Sequence, residues 1–460
     1  MKKPLSPRPC AEIMQEVFNP ENLNPRKAAA ILSQGPLAKG KYRHWDRLRH
    51  LAPPDDLTSE EWWLGIKLAR QKLYKTVPLK DKHGEQFVFS TPDPVERNLH
   101  HIAQHASGRI LAMDQITNPN TRDRYLISSL IEEAITSSQL EGAVTTSDVA
   151  KNMLRTGRPP RDRSEQMIIN NYLAMQYVRD YQDEPLTTDL ILELHDVLTR
   201  DTLDEPDSAG TFRTAADDIV VQQPVTGEIY HRPPPAAELP ERMEVLCRFA
   251  NSDDSGTFIH PVIRAVIVHF CIGYDHPFVD GNGRTARALF YWAMLRHGYW
   301  LAQYLSISRI LTAAPSRYAM AYLYTETDEN DLTYFLDHQT GVIVRSIAEL
   351  HDYLDRKMKE IRALEALVKE AGNLNHRQVA LLGHALRHPG SWYTIESHRR
   401  SHDVVYQTAR TDLLDLASRG LLSSSKRARA YRFTAPSDLS ARLHALSRRR
   451  REVVSDATSS

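Results

Sequence analysis

The chain has 460 residues, enough for two to three domains that each bury a hydrophobic core. Its apolar content of 41% and aromatic content of 8% are typical of folded proteins and argue against extensive disorder. The 58 lysines and arginines balance the 58 aspartates and glutamates, so the total charge favours neither nucleic acid nor an anionic membrane. Any such binding must therefore come from a local patch.

The cysteines and the N-terminal residues indicate a reducing compartment. Cys10, Cys247 and Cys271 are odd in number and form no CxxC pair, which argues against disulfides and a zinc cluster. Two lysines near the start are not followed by an apolar segment, and no apolar run approaches the length of a membrane span. We therefore expect a cytoplasmic protein that does not bind membranes.

The first 350 residues are predicted to be mainly helical. Residues 1–95 predict mixed helices with a short hairpin at residues 79–90, and no function can be assigned to them. From residue 96 to residue 350, apolar residues recur mostly at helical spacing. Residues 212–230 differ, because a β-branched run, Pro-Val-Thr-Gly and a second β-prone run predict a hairpin.

The last 110 residues are predicted to form a separate module. Residues 351–373 predict a charged connector helix, and residues 374–440 predict short helices followed by a hairpin. This order is the layout of a winged helix-turn-helix domain. Residues 441–460 are expected to be a disordered tail.

Basic side chains are concentrated in the predicted winged helix-turn-helix domain. They are Arg399, Arg400, Arg410, Arg419, Lys426, Arg427, Arg429 and Arg432. A DNA contact is one interpretation of this patch. Docking of a protein or formation of a homodimer is another, because winged helices serve all of these purposes and a charged helix face is usually just solvated.

A helix predicted over residues 125–142 ends with an acidic residue. Its apolar positions recur at helical spacing and stop at Gly142, which places Glu141 on the last turn. A glutamate at this end of a helix is slightly unfavourable in the field of the helix dipole, and it is most often a surface residue.

Residues 276–287, HPFVDGNGRTAR, combine features that suit an anion. Gly281 and Gly283 flank Asn282 and allow successive N–H groups to point into one concavity, which can bind phosphate. The helix predicted to follow adds unpaired N–H groups and a positive dipole end. Arg284 and Arg287 are three residues apart, share a face and could clamp phosphate groups.

Two further side chains of this segment suit catalysis. Asp280 is a single carboxylate beside the predicted phosphate site, which is how Mg²⁺ is usually held. His276 titrates near neutral pH and could take a proton from a hydroxyl. Each element alone is most often a plain loop or a solvated surface, but their occurrence together in one order indicates a site.

HPFVDGNGRTAR resembles the signature HxFx(D/E)GNGRxxR of the Fic (Fic/Doc) family at every specified position. Members transfer AMP from ATP to a Ser, Thr or Tyr hydroxyl of a protein. The resemblance implies a mainly α fold, with a Fic-type helical core over residues 96–350 and a β-hairpin flap at residues 212–230 that holds the target backbone. Asp275 departs from the family, because an apolar residue is expected there.

The same resemblance implies a role for each residue of the segment. It makes His276 the general base and Asp280 the Mg²⁺ ligand. It assigns Gly281, Asn282 and Gly283 to the anion hole, and it makes Arg284 and Arg287 the phosphate ligands.

SSQLEG, residues 137–142, resembles the inhibitory motif (S/T)xxxE(G/N) of Fic proteins. Ser137, Glu141 and Gly142 match it. The resemblance implies a salt bridge from Glu141 to Arg287 that keeps this arginine from the γ-phosphate of ATP. In some members the same glutamate supports the removal of AMP.

Two classes of function follow. The first is a protein adenylyltransferase that uses ATP and Mg²⁺, acts on another protein or on itself, and is inhibited by Glu141. The second is a DNA-binding regulator whose Fic pocket senses a nucleotide, and the intact His276 argues against it because sensing needs no base. Within the enzyme class, phosphate or phosphocholine transfer and AMP removal stay open, although two available arginines favour AMP transfer.

Overall fold

The computed structural model divides into two compact units, Met1–Leu350 and His351–Ser460. None of the described helices is both long and apolar enough to cross a membrane. The structure describes residues 2–21, 23–107, 119–223, 226–251, 258–370, 374–387, 391–402, 404–427 and 430–446.

The first unit is mainly helical, as predicted, and contains two short antiparallel hairpins. Its helices are α1 (Cys10–Val17), α2 (Pro25–Leu32), α3 (Trp45–Leu48), α4 (Ser59–Gln71), α5 (Asp93–Ala106), α6 (Pro119–Leu140), α7 (Ser147–Thr156), α8 (Arg163–Asp180), α9 (Thr188–Thr199), α10 (Leu239–Asn251), α11 (Pro261–Asp275), α12 (Asn282–Arg296), α13 (Ile307–Ala313) and α14 (Pro315–Thr327). Its strands are β1 (Lys75–Lys80), β2 (Gln86–Phe89), β3 (Val221–Gln222) and β4 (Ile229–His231).

Helices α11 and α12 form the centre of this unit. Apolar residues cover α11 on all sides, and a helix of this kind is stable only when it is enclosed. The side chains of Val266, Ile267 and Phe270 are fully buried. Pro261 and the ring of His260, which accepts a hydrogen bond from the N–H of Val262, begin the helix. The short loop between α11 and α12 is therefore fixed on both sides by the core.

The N-terminal residues pack against the rest of the first unit. Lys67 on α4 donates a 2.6 Å hydrogen bond to Asp328, and both side chains are almost completely buried. The hydroxyl of Tyr42 donates to the carboxylate of Asp331 over 2.5 Å. Buried ion pairs tolerate the loss of one partner poorly. These contacts hold the turn that follows α14. The hairpin expected at residues 79–90 is β1–β2.

The C-terminal unit has its own core and a three-stranded antiparallel sheet in which β7 lies between β5 and β6. Its elements are α16 (His376–Arg387), β5 (Trp392–Tyr393), α17 (Ile395–His402), α18 (Tyr406–Ser418), β6 (Ser423–Arg427) and β7 (Ala430–Thr434). Leu382, Leu413 and Phe433 are fully buried between helices and sheet. This order does not conflict with a winged helix-turn-helix domain, which stays a prediction.

The predicted boundary at residue 350 coincides with the division into the two units. The helix that contains the predicted connector, α15, is longer than predicted and runs from Thr333 to Glu370 without an internal proline that could end it. Residues 439–446 are helical, so the tail is not disordered from residue 441. Leu439 and Leu443 share one face of this helix and are buried in the C-terminal core. Residues 371–373 and 447–460 lie outside the described residues.

The predicted basic patch is partly neutralised within its own unit. Arg399 and Arg400 both pair with Glu396, at 2.8 and 2.9 Å. Arg419 pairs with Asp415 at 3.0 Å. Arg429 lies outside the described residues. DNA binding and a homodimer therefore stay predictions.

Candidate functional site

His276 follows the last residue of α11 and takes a left-handed conformation, with φ 46° and ψ 57°. This conformation costs a residue with a side chain about 1–2 kcal/mol, so the surroundings must enforce it. The Nδ1 atom lies 3.0 Å from the carbonyl oxygen of Gly273, which can only accept, so Nδ1 carries the hydrogen. Burial lowers the pKa of His276. The ring is therefore neutral at pH 7, with the lone pair on Nε2.

Arg213 holds the backbone around His276. Its Nε donates to the carbonyl of His276 over 2.7 Å, and its Nη2 donates to the carbonyl of Pro234 over 2.6 Å. The N–H of Arg213 also donates to the carbonyl of Pro277 over 2.9 Å. This side chain was missed in the sequence analysis, since it lies 63 residues before His276. It fixes the left-handed turn from outside.

Asp275, the departure from the family pattern, is buried and paired with Arg242 at 2.7 Å. Burial raises the pKa of this carboxyl, and Arg242 opposes the shift. Arg242 also donates to the backbone carbonyl of Asp81, just after β1, over 3.2 Å. Asp275 therefore joins α11 to the β1–β2 hairpin through Arg242.

Asn282 closes the loop with its side chain. Its Nδ2 donates to the carbonyl of Phe278 over 2.8 Å, and its Oδ1 accepts from the N–H of Phe278 over 2.9 Å. The amide side chain is thus occupied, and the backbone N–H groups of Asn282, Gly283 and Arg284 in the first turn of α12 are the donors left for an anion. Gly281 has φ +84°, and a Cβ there would lie 2.7 Å from Thr199 Cγ2. Only glycine fits this position.

His195 on α9 holds the loop through a hydrogen bond and through ring stacking. Its Nδ1 accepts from the N–H of Gly210 over 3.0 Å, so its Nε2 carries the hydrogen and donates to the carbonyl of Asp280 over 2.9 Å. Its ring stacks on Phe278 with the centroids 3.6 Å apart. Burial lowers the pKa of His195 to about 4, so the ring is neutral. The carboxylate of Asp280 itself is 45% exposed.

The two predicted phosphate ligands lie in different surroundings. Arg287 is one of the described residues that line the cavity beside His276, whereas Arg284 is not. Arg284 donates to the carbonyl of Leu198 over 2.9 Å and approaches Asp280 at 3.7 Å. Among the described residues, Nε and Nη2 of Arg284 and Nη1 of Arg287 are buried without a hydrogen-bond partner. Such donors are costly when unpaired, so an incoming anion would be stabilised.

The predicted inhibitory residues meet Arg287. Helix α6 ends at Leu140, and Glu141 lies just beyond it, where its Oε1 accepts from Arg287 Nη2 over 2.9 Å. Arg287 Nε donates to Ser137 Oγ over 2.9 Å, and its Nη2 donates to the Ser137 carbonyl over 3.1 Å. Gly142, with φ +96°, allows the chain to turn away after Glu141.

Glu141 also touches the first turn of α12. A Cβ built on Gly283 would lie only 2.2 Å from Glu141 Oε1, so the carboxylate rests directly on the backbone of this glycine. A helix N-terminus is where an anion is stabilised by unpaired N–H groups and the dipole. The carboxylate therefore occupies the position that a bound phosphate would need.

Comparison with known proteins agrees with this geometry. Residues 185–294, which include α9 to most of α12, match the model of the Fic/DOC family. The chain contains a Fic domain. The proteins named "Protein adenylyltransferase Fic" from Drosophila sechellia and Drosophila melanogaster are each 33% identical to it over 170 residues, 35% of this chain. The match spans only 31% of the length of these curated relatives.

The fold of the Fic domain also has a solved counterpart. A Fic family protein from Desulfovibrio desulfuricans superposes with a TM-score of 0.51 at 18% identity, covering 75% of this chain and 97% of the other. At this identity the likeness concerns the fold. The predicted mainly helical Fic fold is thereby confirmed.

A buried carboxylate anchors helix α6 to the start of α13. Glu133 on α6 accepts from Ser306 Oγ over 2.9 Å and from the N–H of Ser308 over 3.2 Å, at the start of α13. Burial raises the pKa of Glu133, and its hydrogen bonds with Ser308 oppose the shift. This residue was not predicted, because one glutamate among several on a helix gives no signal in the sequence.

The site of the Fic domain is a cavity of about 270 Å³. One wall is the loop with His276 and Asp280, and the opposite walls are strands β3–β4 and helix α14. Flap and helix contribute Val221, Tyr230, His231, Tyr318, Tyr322 and Glu326. Aromatic walls with a few polar groups are typical of small-molecule sites. The predicted flap hairpin is thus confirmed as a short one, and Pro224 and Val225 in its turn lie outside the described residues.

His231 ties the flap to both neighbouring walls. Its Nδ1 lies 2.7 Å from Glu326 on α14, and its Nε2 lies 2.7 Å from the carbonyl of Tyr274 on α11. These two contacts hold the β3–β4 hairpin against both helices. Neither His231 nor Glu326 was recognised in the sequence, because 95 residues separate them.

Proposed function

We propose that this chain is a protein adenylyltransferase that transfers AMP from ATP to a Ser, Thr or Tyr hydroxyl of a protein. One observation carries the proposal. The lone pair of His276, the first turn of α12 and the guanidinium of Arg287 belong to the same cavity. A base beside an anion site is the combination that transfer of a phosphorus group to a hydroxyl needs.

Each of these residues has a separate role in the proposed reaction. His276 Nε2 takes the proton of the target hydroxyl, whose oxygen forms a bond to the α-phosphorus while the bond to the β-phosphate oxygen breaks and pyrophosphate leaves. The N–H groups of Asn282 and Gly283 stabilise the negative charge that develops on the phosphate oxygens. Arg287 would hold the leaving phosphates in bidentate geometry.

Asp280 is the residue that would hold Mg²⁺. Its carboxylate lines the cavity, is partly exposed and supplies the hard oxygen ligand that this ion prefers. When bound, Mg²⁺ supplies positive charge to the polyphosphate. The hydrogen bond from His195 to the carbonyl of Asp280 keeps this residue in place.

Glu141 holds the enzyme inactive in this proposal. Its carboxylate pairs with Arg287 and rests on Gly283, so it blocks both groups that would receive phosphates. Glu141 forms part of the wall of the cavity, whose volume of about 270 Å³ lies below the usual range of about 300–1,000 Å³ for ligand pockets. Release of Glu141 would enlarge the cavity and free the arginine.

The β3–β4 hairpin is the part of the site that would receive the target. Its strands are two and three residues long and form a two-stranded sheet, so each strand has an outer edge. An extended segment of a target protein, or of a second copy of this chain, could add to such an edge through backbone hydrogen bonds. Ile229, 42% exposed, offers an apolar contact there.

The test is mass spectrometry of four proteins incubated with ATP and Mg²⁺: wild type, Glu141→Gly, His276→Ala and the double variant Glu141→Gly/His276→Ala. The Glu141→Gly protein is expected to gain an AMP-sized mass on itself or on proteins of a cell extract, and the double variant Glu141→Gly/His276→Ala is not. A phosphate-sized gain would replace the proposal by phosphate transfer. Loss of AMP from a modified target with wild type, but not with Glu141→Gly, would replace it by AMP removal.

A further inference from the structure

A second cavity of the first unit, on the other side of α14, is strongly basic. It has a volume of about 610 Å³, within the range of about 300–1,000 Å³ for small-molecule pockets. Five elements form it: the loop before α3, helix α3 itself, the first turns of α5, helix α14 and the first turns of α15. The four basic side chains in its wall are those of Lys41, Arg43, Arg47 and Arg97.

These four charges are poorly compensated. Asp337 is the single carboxylate among the residues that line the cavity. Burial raises the pKa of Asp337, which further weakens its compensating charge. No ion pair of Lys41, Arg43, Arg47 or Arg97 is found within the described part of the chain. By contrast, Arg242 and Arg158 elsewhere in this unit each have a carboxylate partner.

Four like charges repel one another, and an anion between them would remove this cost. We propose that this cavity binds a small ligand that carries a polyphosphate group, at a site separate from that of the Fic domain. Three arginines favour phosphate, because their planar guanidinium groups bind two of its oxygens at once. The concave shape favours a small molecule over an extended nucleic acid. An extended nucleic acid would need a wider basic surface, and the chain as a whole has balanced charge.

The position of this cavity connects it to the Fic domain. Arg47 Nε donates to the hydroxyl of Tyr324 on α14 over 3.1 Å. The neighbours Tyr322 and Leu323 on the same helix line the cavity that contains His276. A ligand held by Arg47 would therefore act on a helix that is a wall of both cavities. Binding itself does not rest on the proposed AMP transfer.

Isothermal titration with sodium pyrophosphate tests the site, on an Arg287→Ala background that weakens binding at the Fic cavity. The double variant Lys41→Glu/Arg97→Glu is expected to lower the affinity about ten-fold or more, since two attractive charges become repulsive. Asp337→Asn is expected to raise the affinity, because it removes the single carboxylate. Lys72→Glu, an exposed lysine outside the cavity, should change it less than about two-fold.

Thermal unfolding of each variant shows whether it is folded. If the double variant is unfolded, the milder single variant Arg97→Gln takes its place. Unchanged affinity in the charge-reversed variant, or no heat of binding at all on the Arg287→Ala background, overturns the proposal. ATP replaces pyrophosphate in a second series. Tighter binding of ATP identifies a nucleotide as the ligand, whereas equal binding identifies the polyphosphate group alone, and either result supports the site.

Discussion

The loop that carries His276 and the turn that carries Glu141 face the same cavity but are held in different ways. The loop is closed by Asn282 and supported by Arg213 and His195, and each of these contacts goes to its backbone. The turn meets α12 through hydrogen bonds to one side chain, Arg287.

The exposure of the two partners shows what this difference means. In the Glu141–Arg287 pair the glutamate side chain is 27% exposed and the arginine 2%. Water therefore reaches Glu141 but not Arg287. The loop would lose several backbone hydrogen bonds if it moved. In the proposed function, His276 is therefore the group that is held in place, and Glu141 is the group that is released.

The largest effect is expected from substitution of His276, the proposed general base. In the Glu141→Gly protein, His276→Ala should lower the rate of AMP transfer by about 10²–10⁴-fold, the usual contribution of a general base. Transfer of ³²P-labelled AMP to protein measures it. His83→Ala, an exposed histidine on the β1–β2 turn, is the control and should leave the rate unchanged. A rate that survives in the His276→Ala variant would mean that another group accepts the proton.

Removal of the negative charge of Glu141 should raise activity. Glu141→Gln keeps the shape of the side chain but removes its charge, and we expect a gain of about 5–150-fold, the range of coupling energies of 1–3 kcal/mol. The matched variant is Glu132→Gln on the same helix, whose carboxylate pairs with Lys151 at 3.2 Å instead of Arg287. If both variants gain equally, a loosened helix and not the lost ion pair is the cause.

The residues that could be predicted from the sequence are those whose neighbours in the chain reveal their role. His276, Asp280 and Arg287 lie within twelve residues of one another, so a single segment displays the combination. Glu141 was predicted from the family resemblance, and its contact with Arg287 spans 146 residues. Charge and spacing alone suggested only a surface residue on the last turn of a helix.

The residues that support the site could not be predicted, because their partners lie far away in the sequence. His195 and Arg213 donate to carbonyl groups, and any residue supplies a carbonyl, so no complementary side chain marks the pair. The role of Asp275 depends on Arg242, 33 residues earlier. The start of α15 was missed for a simpler reason. Its sequence stays helical on both sides of residue 351, so composition gave no signal for the residue at which this helix begins.

A supporting contact should matter less than the base itself. Arg213→Ala in the Glu141→Gly protein removes two side-chain hydrogen bonds from the loop and should lower kcat by about 10–100-fold, since a shift near 1 Å can cost 10²-fold. The KM for ATP should change little, because Arg213 is not among the described residues that line the cavity. Arg232→Ala, which breaks an exposed pair with Asp218, is the matched control. A large rise in KM with kcat unchanged would show that Arg213 acts on nucleotide binding instead.

The smallest effect is expected from a change in pH, which tests how Glu141 influences the pKa of His276. Burial lowers the pKa of His276 from 6.5, while the negative charge of Glu141 raises it. Since only the neutral ring accepts a proton, activity is full above the pKa of His276 and is lost as pH falls through it. The half-maximal point therefore lies below pH 6.5, so kcat/KM of the Glu141→Gly protein should fall less than two-fold between pH 8 and 6.5. This point should lie lower in Glu141→Gly than in wild type, because the substitution removes the charge that favours the protonated ring. An identical midpoint in both proteins would mean that Glu141 is already away from His276 in the active state, which is the behaviour of a group that is released before the reaction starts.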